Sequence, residues 1–184
     1  MNNKTLLTIS ILAIALTACN DKTSEYQSPA SQTEAPAPSA ADVNAPDSAA
    51  VLSDFKGDLN SLGKADLCAL DAVNGESPNE GSFKVTSNAP VALEGWAATT
   101  SLTNPGAVEV VLSAADKAFM ISGNAGIERD DVAKAYKAEA LSNSGFKLEL
   151  PALQVPAGEY AVAILHEEAG VQVSCASPLK LIIQ

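Results

Sequence analysis

From Val51 onward the chain predicts an all-β domain, an antiparallel β-sandwich with one short inserted helix. Two observations lead there. Short apolar runs with a period of two follow one another, punctuated by Asn, Gly and Pro every ~8–12 residues, which is the pattern of a sandwich. A single stretch, RDDVAKAYKAEALS over 129–142, instead has the composition and apolar stripe of a helix. The remaining ~134 residues suit one domain with a real core.

The chain begins differently. Met1–Lys4 is polar with one positive charge, and Leu6–Leu16 is an apolar run broken only by Ala, Ser and Thr. Roughly a dozen such residues fit a signal-peptide core and fall short of the ~20 that span a bilayer. Residues 1–18 are therefore expected to be a signal peptide.

The run closes on Leu16–Thr17–Ala18–Cys19, which resembles the lipobox of bacterial lipoproteins. The resemblance implies cleavage before Cys19, which then carries a thioether-linked diacylglycerol and an N-acyl chain. One acyl chain anchors marginally and two or more anchor stably, so Cys19 is expected to hold the protein on a membrane. The alternative is ordinary secretion with Cys19 as a free thiol or half of a disulfide. Asn20, not Asp, follows the cysteine, which in enteric-type bacteria favours the outer membrane over inner-membrane retention.

Lipidation accounts for one of three cysteines and leaves Cys68 and Cys175, an even pair in a compartment that permits disulfides. Each lies on an apolar strand face, and the two are expected to be bonded. Residues 19–50 hold the lipidated cysteine and a stretch rich in Ala, Ser, Pro and acids. Such a segment buries too little apolar surface to offset its ordering entropy. It is expected to be a disordered tether with an end-to-end distance of ~30 Å.

Within 51–184 the expected strands are LCALDAV, SFKVTS, PVALEGWAATT, AVEVVLS, KAFMIS, FKLEL, GEYAVAILH, GVQVSCA and LKLIIQ. Cys68, Leu70 and Ala72 should share one face. GNAG at 123–126 reads as a turn before the helix. In that helix Val132, Ala133, Tyr136, Ala140 and Leu141 form a stripe, and Asp130 and Asp131 sit at its positive end.

Several short motifs in this region have a family resemblance. They are Gly95-Trp96-Ala97 after Leu93, the V-x-V-V-L strand, and Arg129-x-Asp131-Val132-Ala133, then Gly145-Phe146 and Gly158-x-Tyr160. Over roughly 66–184 this series is similar to small immunoglobulin-like modules of bacterial envelope proteins, including modules appended to membrane glycosyltransferases. Asp130 stands where that pattern has Pro. The resemblance implies an immunoglobulin-like sandwich and carries no shared catalytic residues.

Candidate sites are few. His166, the single histidine, lies at a strand end and reads as a surface hairpin residue. No nucleophile elbow, calcium loop, CxxC, phosphate loop or basic patch is present, so no catalytic residue, metal or cofactor is expected. The adjacent acids Asp130–Asp131 and Glu167–Glu168 do not suit paired acid/base work, since neighbours on a strand face opposite ways. Trp96, the single tryptophan, is expected to anchor the core, with stacking on a sugar ring as the alternative. Arg129 is a cation at the positive end of a helix, where the dipole disfavours it. It is expected to pair with a carboxylate on a neighbouring loop; the alternative is an outward Arg129 meeting an anionic partner such as a glycan carboxylate.

The net charge is −11, and loss of Lys4 with residues 1–18 takes it to −12. That argues against nucleic acid and against electrostatic adhesion to anionic lipid. The expectation is a lipid-anchored envelope protein acting as a non-catalytic binding or assembly-accessory module for a protein or glycan partner. The alternatives are an envelope-protective inhibitor of an external enzyme, and an enzyme.

Overall fold

The computed structural model describes residues 50–184. The predicted signal peptide, Cys19 and the tether before Ala50 lie outside the described residues. The described part is mainly β. Its strands are β1 (Val51–Asp54), β2 (Gly63–Lys64), β3 (Cys68–Val73), β4 (Ser82–Val85), β5 (Val91–Ala97), β6 (Ala107–Ser113), β7 (Ala118–Ile127), β8 (Gly145–Leu150), β9 (Gly158–Glu168) and β10 (Val171–Ile183). Helix α1 (Asp130–Tyr136) and a 3-10 turn (Glu139–Leu141) lie between β7 and β8.

The ten strands form one continuous sheet in the order β2-β10-β9-β6-β7-β8-β5-β3, with β1 added on β7 and β4 on β10. The expected antiparallel pairing fails at two places: β2 and β4 both run parallel to β10. Period-two patterning marks which residues extend and which face they bury. It is silent on the direction in which a distant strand arrives. β1 and β2 were not expected at all, because a four-residue and a two-residue edge strand carry almost no pattern.

The sheet curls into a half-barrel. Cys68 on β3, at one end of the strand order, is disulfide-bonded to Cys175 on β10, next to the other end, with their Cα atoms 6.3 Å apart. The concave face holds the core. Leu70, Leu93, Phe146 and Leu148 from one limb meet Val110, Leu112, Ile121, Val162, Ile164 and Leu181 from the other. On the convex side, Phe55, Leu59 and Leu62 cover a separate apolar patch of Val111, Ala163 and Leu165.

β7 joins the two limbs. Ala118–Asn124 pair with β6, while Ala125 and Ile127 pair with β8 after a register shift. The expected turn at GNAG is thus part of this strand. Its glycines serve the change of partner: Gly126 has φ of 154°, and a side chain at Gly123 would collide with Leu148. The two expected strands GVQVSCA and LKLIIQ are likewise one strand, β10. Its ladder is interrupted between Ala176 and Lys180, which accommodates Pro178 and its missing N–H.

In β3 the expected face of Cys68, Leu70 and Ala72 breaks down. Leu70 and Val73 are the buried pair, an odd spacing that a regular strand cannot bury on one side. A bulge between Leu70 and Ala72 inserts the extra residue, Asp71. The helix is shorter than expected too. Lys137, at φ 54°, caps it in the left-handed region, and the chain continues as the 3-10 turn that buries Leu141.

Candidate functional site

The convex faces of β3, β5 and β8 carry the groove in which the sequence-predicted Arg129 lies. Along β5 the inward positions are Val91, Leu93, Gly95 and Ala97, so Ala92, Glu94 and Trp96 point outward. On β8 the exposed Lys147 is directly opposite Glu94, and Gly145 is opposite Trp96. The bulge in β3 brings Asp71 to the same face. Asp71, Glu94 and Lys147, with Ala72, Gly95, Ile127, Arg129 and Phe146, line a groove of about 320 Å³.

Arg129 reaches across this face. Its aliphatic stem lies over Gly145, where a Cβ would come within 2.7 Å of the Arg129 Cγ. At its tip, Nε and Nη2 donate to the two oxygens of Asp131 at 2.8 and 2.7 Å, and Nη1 donates to Asp71 Oδ2 at 2.7 Å. The planar fork suits this arrangement. The expected pairing with a carboxylate is therefore present, but the distant partner is on a strand bulge of β3, not on a loop. Hydrogen bonding to Arg129 holds the Asp131 carboxyl at a pKa of about 2. The same bonds raise the Arg129 pKa further, against burial.

Lys147 repeats the pattern. It lies 3.0 Å from Glu149 and 3.6 Å from Glu94. The Glu149 hydrogen bond, with the charges of both acids, raises its pKa. Each groove cation is thus flanked by two carboxylates.

Trp96 is not in the main core. It points to the convex side, half-buried, and packs with Val132, Leu141 and Ala98 in a small cluster beneath α1. Its ring is 5.5 Å from that of Tyr136, tilted by 56°. Strand alternation decided this, since Leu93 and Gly95 had already claimed the inward side.

His166 is not a surface residue: it is 3% exposed. It shares the inward phase of β9 with Tyr160, Val162 and Ile164. Its Nε2 lies 3.3 Å from Glu168 Oε1, while its buried Nδ1 has no partner. Glu168 also accepts hydrogen bonds from the Thr100 N–H at 3.0 Å and the Thr100 hydroxyl at 3.1 Å. Burial pushes its pKa up, but these bonds outweigh it and the net shift is downward. The two acidic pairs divide as alternation and helix geometry require. Asp130 faces Lys134 at 3.7 Å while Asp131 holds Arg129, and Glu168 turns inward while Glu167 is exposed.

The sequence reading missed Asp71, Glu94, Lys147 and Ile127 as groove residues. The alternation of FKLEL and VALEGWA already placed Lys147 and Glu94 outward, and their direct apposition needed only the β5–β8 register. Asp71 depended on a bulge with no mark of its own in the sequence.

No family model matches the chain, and no curated protein matches it. Among solved structures it is similar to the endo-β-1,4-mannanase of Thermotoga petrophila, at 15% identity and a TM-score of 0.38. That likeness covers 66% of this chain and 20% of the mannanase chain, so the matched region is about one fifth of that protein's length.

Proposed function

We propose that this chain is a lipid-anchored cell-envelope protein whose β domain is a non-catalytic binding or assembly-accessory module. Cys19 is its membrane anchor, residues 20–50 its tether, and the outer membrane its location. The fold is read as an immunoglobulin-like sandwich opened at one side: β7 passes from one limb to the other, and the limbs share one core.

The observation that carries the binding role is the groove itself. Its polar groups belong to short strands or to the start of α1, and mutual ion pairs hold them in place. Recognition surfaces gain from groups fixed before the partner arrives, because less freedom is lost on binding. A photo-crosslinking amino acid at Ile127, 41% exposed in the groove wall, tests the reading in intact cells. A specific adduct is expected there and none at Glu159, an exposed control on β9. Equal labelling at both positions, or no adduct at Ile127, would count against it. Cys19→Ser tests the anchor: a variant that is still acylated and membrane-bound would overturn that assignment.

A further inference from the structure

Resting on that reading, we infer that the groove takes an uncharged, polyhydroxylated ligand, a neutral glycan, and that it rejects anionic ones. The charge arrangement carries the inference. An anion needs a cation free to meet it, and neither groove cation is free. Arg129 is held by both oxygens of Asp131 and by Asp71, and Lys147 by Glu94 and Glu149. Asp71 and Glu94 balance the two cations within the lining, and Asp131 and Glu149 beside it leave the surrounding face negative, which repels a uronic acid, a phosphate or a sialic acid.

The hydrogen-bonding capacity that remains is lopsided in an informative way. A guanidinium has five N–H donors and a carboxylate roughly four acceptor positions. Three of the Arg129 donors are used, leaving two, and Lys147 with two carboxylate partners keeps about one of three, whereas Asp71 and Glu94 in the lining, with Asp131 and Glu149 beside it, keep most of their lone pairs. The complement is a ligand rich in donors that can also accept: a set of hydroxyl groups. The groove also has apolar surface. Ala72 and Gly95 present little or no side chain, and Ile127 forms an exposed apolar wall. A pyranose has this duality, with C–H groups on its faces and hydroxyls around its edge. A volume of about 320 Å³ is at the small end of the range for ligand pockets, ~300–1,000 Å³, and suits a sugar unit or two of a longer chain.

Trp96 supplies the readout. It is the single tryptophan and shares the outward face of β5 with Glu94, two residues away, or ~7 Å along the strand. The probes are cellohexaose, maltohexaose, xylohexaose and the fully N-acetylated chitohexaose, with hexagalacturonate as the anionic and spermidine as the cationic comparison. They are titrated into the full lipidated chain in a sugar-free detergent, followed by Trp96 fluorescence and calorimetry. A saturable change with at least one neutral hexasaccharide is expected to persist at physiological salt, with none from hexagalacturonate, while any response to spermidine drawn by the negative face should be weaker and vanish as salt rises.

Glu94→Gln and Ile127→Ala, each with an unchanged melting temperature, should weaken that binding about tenfold or more, as loss of a charge-assisted hydrogen bond or an apolar contact would. Silence from all four neutral sugars, preference for either charged probe, or binding indifferent to both variants overturns the inference. A protein adduct at Ile127 in cells together with silence from the neutral sugars overturns the glycan assignment and leaves the binding-module reading standing. Silence together with no adduct overturns both.

Discussion

Removing the Cys68–Cys175 bond perturbs the curl of the sheet most directly. β3 and β10 lie toward opposite ends of the strand order, and no ladder pairs them. The disulfide therefore closes a separation of 107 residues that hydrogen bonds leave open at this seam. In the chain-entropy account, a loop of that length restricts the unfolded state by ~16 cal/mol/K, or ~4.8 kcal/mol at 25 °C; measured bonds commonly deliver ~2–4 kcal/mol. For about 135 described residues, an unfolding entropy of ~2.1 cal/mol/K each gives ~0.28 kcal/mol per degree. Cys68→Ala/Cys175→Ala should therefore lower the melting temperature by ~7–17 °C, with a smaller added loss from the space left at the buried Cys175. Scanning calorimetry of wild type, wild type with reductant and the double variant provides the assay. Reduced wild type should melt near the double variant. A fall below ~5 °C in both would refute the reasoning, since the bond would then be closing a loop already restricted in the unfolded chain.

Three further outcomes follow from the ion pairs and from the hydrogen bonds to Glu168. Arg129→Ala removes a bidentate pair, a second carboxylate contact and a stem packed over Gly145, so circular dichroism melts should shift down by ~3–7 °C; Arg129→Lys, lacking the fork, should recover less than half. The Asp131 pKa is depressed from 3.8 to about 2, so the stability it brings is fully present above pH ~4 and lost as pH falls toward 2. Because that carboxylate is mostly exposed, the loss should stay below ~1 kcal/mol, and urea midpoints should show it in wild type and not in Arg129→Ala. Glu168→Ala should speed hydrogen exchange at the Thr100 amide by about tenfold or more, since that N–H loses its acceptor; unchanged exchange would show that the loop is held otherwise.

The mainly-β character, helix α1 and the Cys68–Cys175 pair were legible in the sequence because each rests on a local or countable signal. Alternation in FKLEL put Phe146, Leu148 and Leu150 inward, and they are buried. What stayed hidden needs knowledge of partners. GNAG reads as a turn because Gly and Asn tolerate unusual backbone angles, yet here that tolerance lets β7 leave β6 for β8. His166 beside two glutamates reads as exposed until the phase of β9 is carried one step beyond Ile164, which places it inward.

Arg129 shows how the two kinds of information combine. The helix dipole makes an arginine at the start of α1 unfavourable, and that local conflict flagged the residue from sequence alone. Resolving the conflict needed Asp71, 58 positions away, and Asp71 faces Arg129 through a bulge forced by burying both Leu70 and Val73. The apolar core thus dictates where a carboxylate emerges on the opposite face. That carboxylate then occupies a cation that sequence reasoning could leave open for an anionic partner. Deleting Asp71 would regularise β3, leave Leu70 and Val73 two positions apart and both inward, and take the distant carboxylate from Arg129. The core and the groove chemistry are coupled through one extra residue.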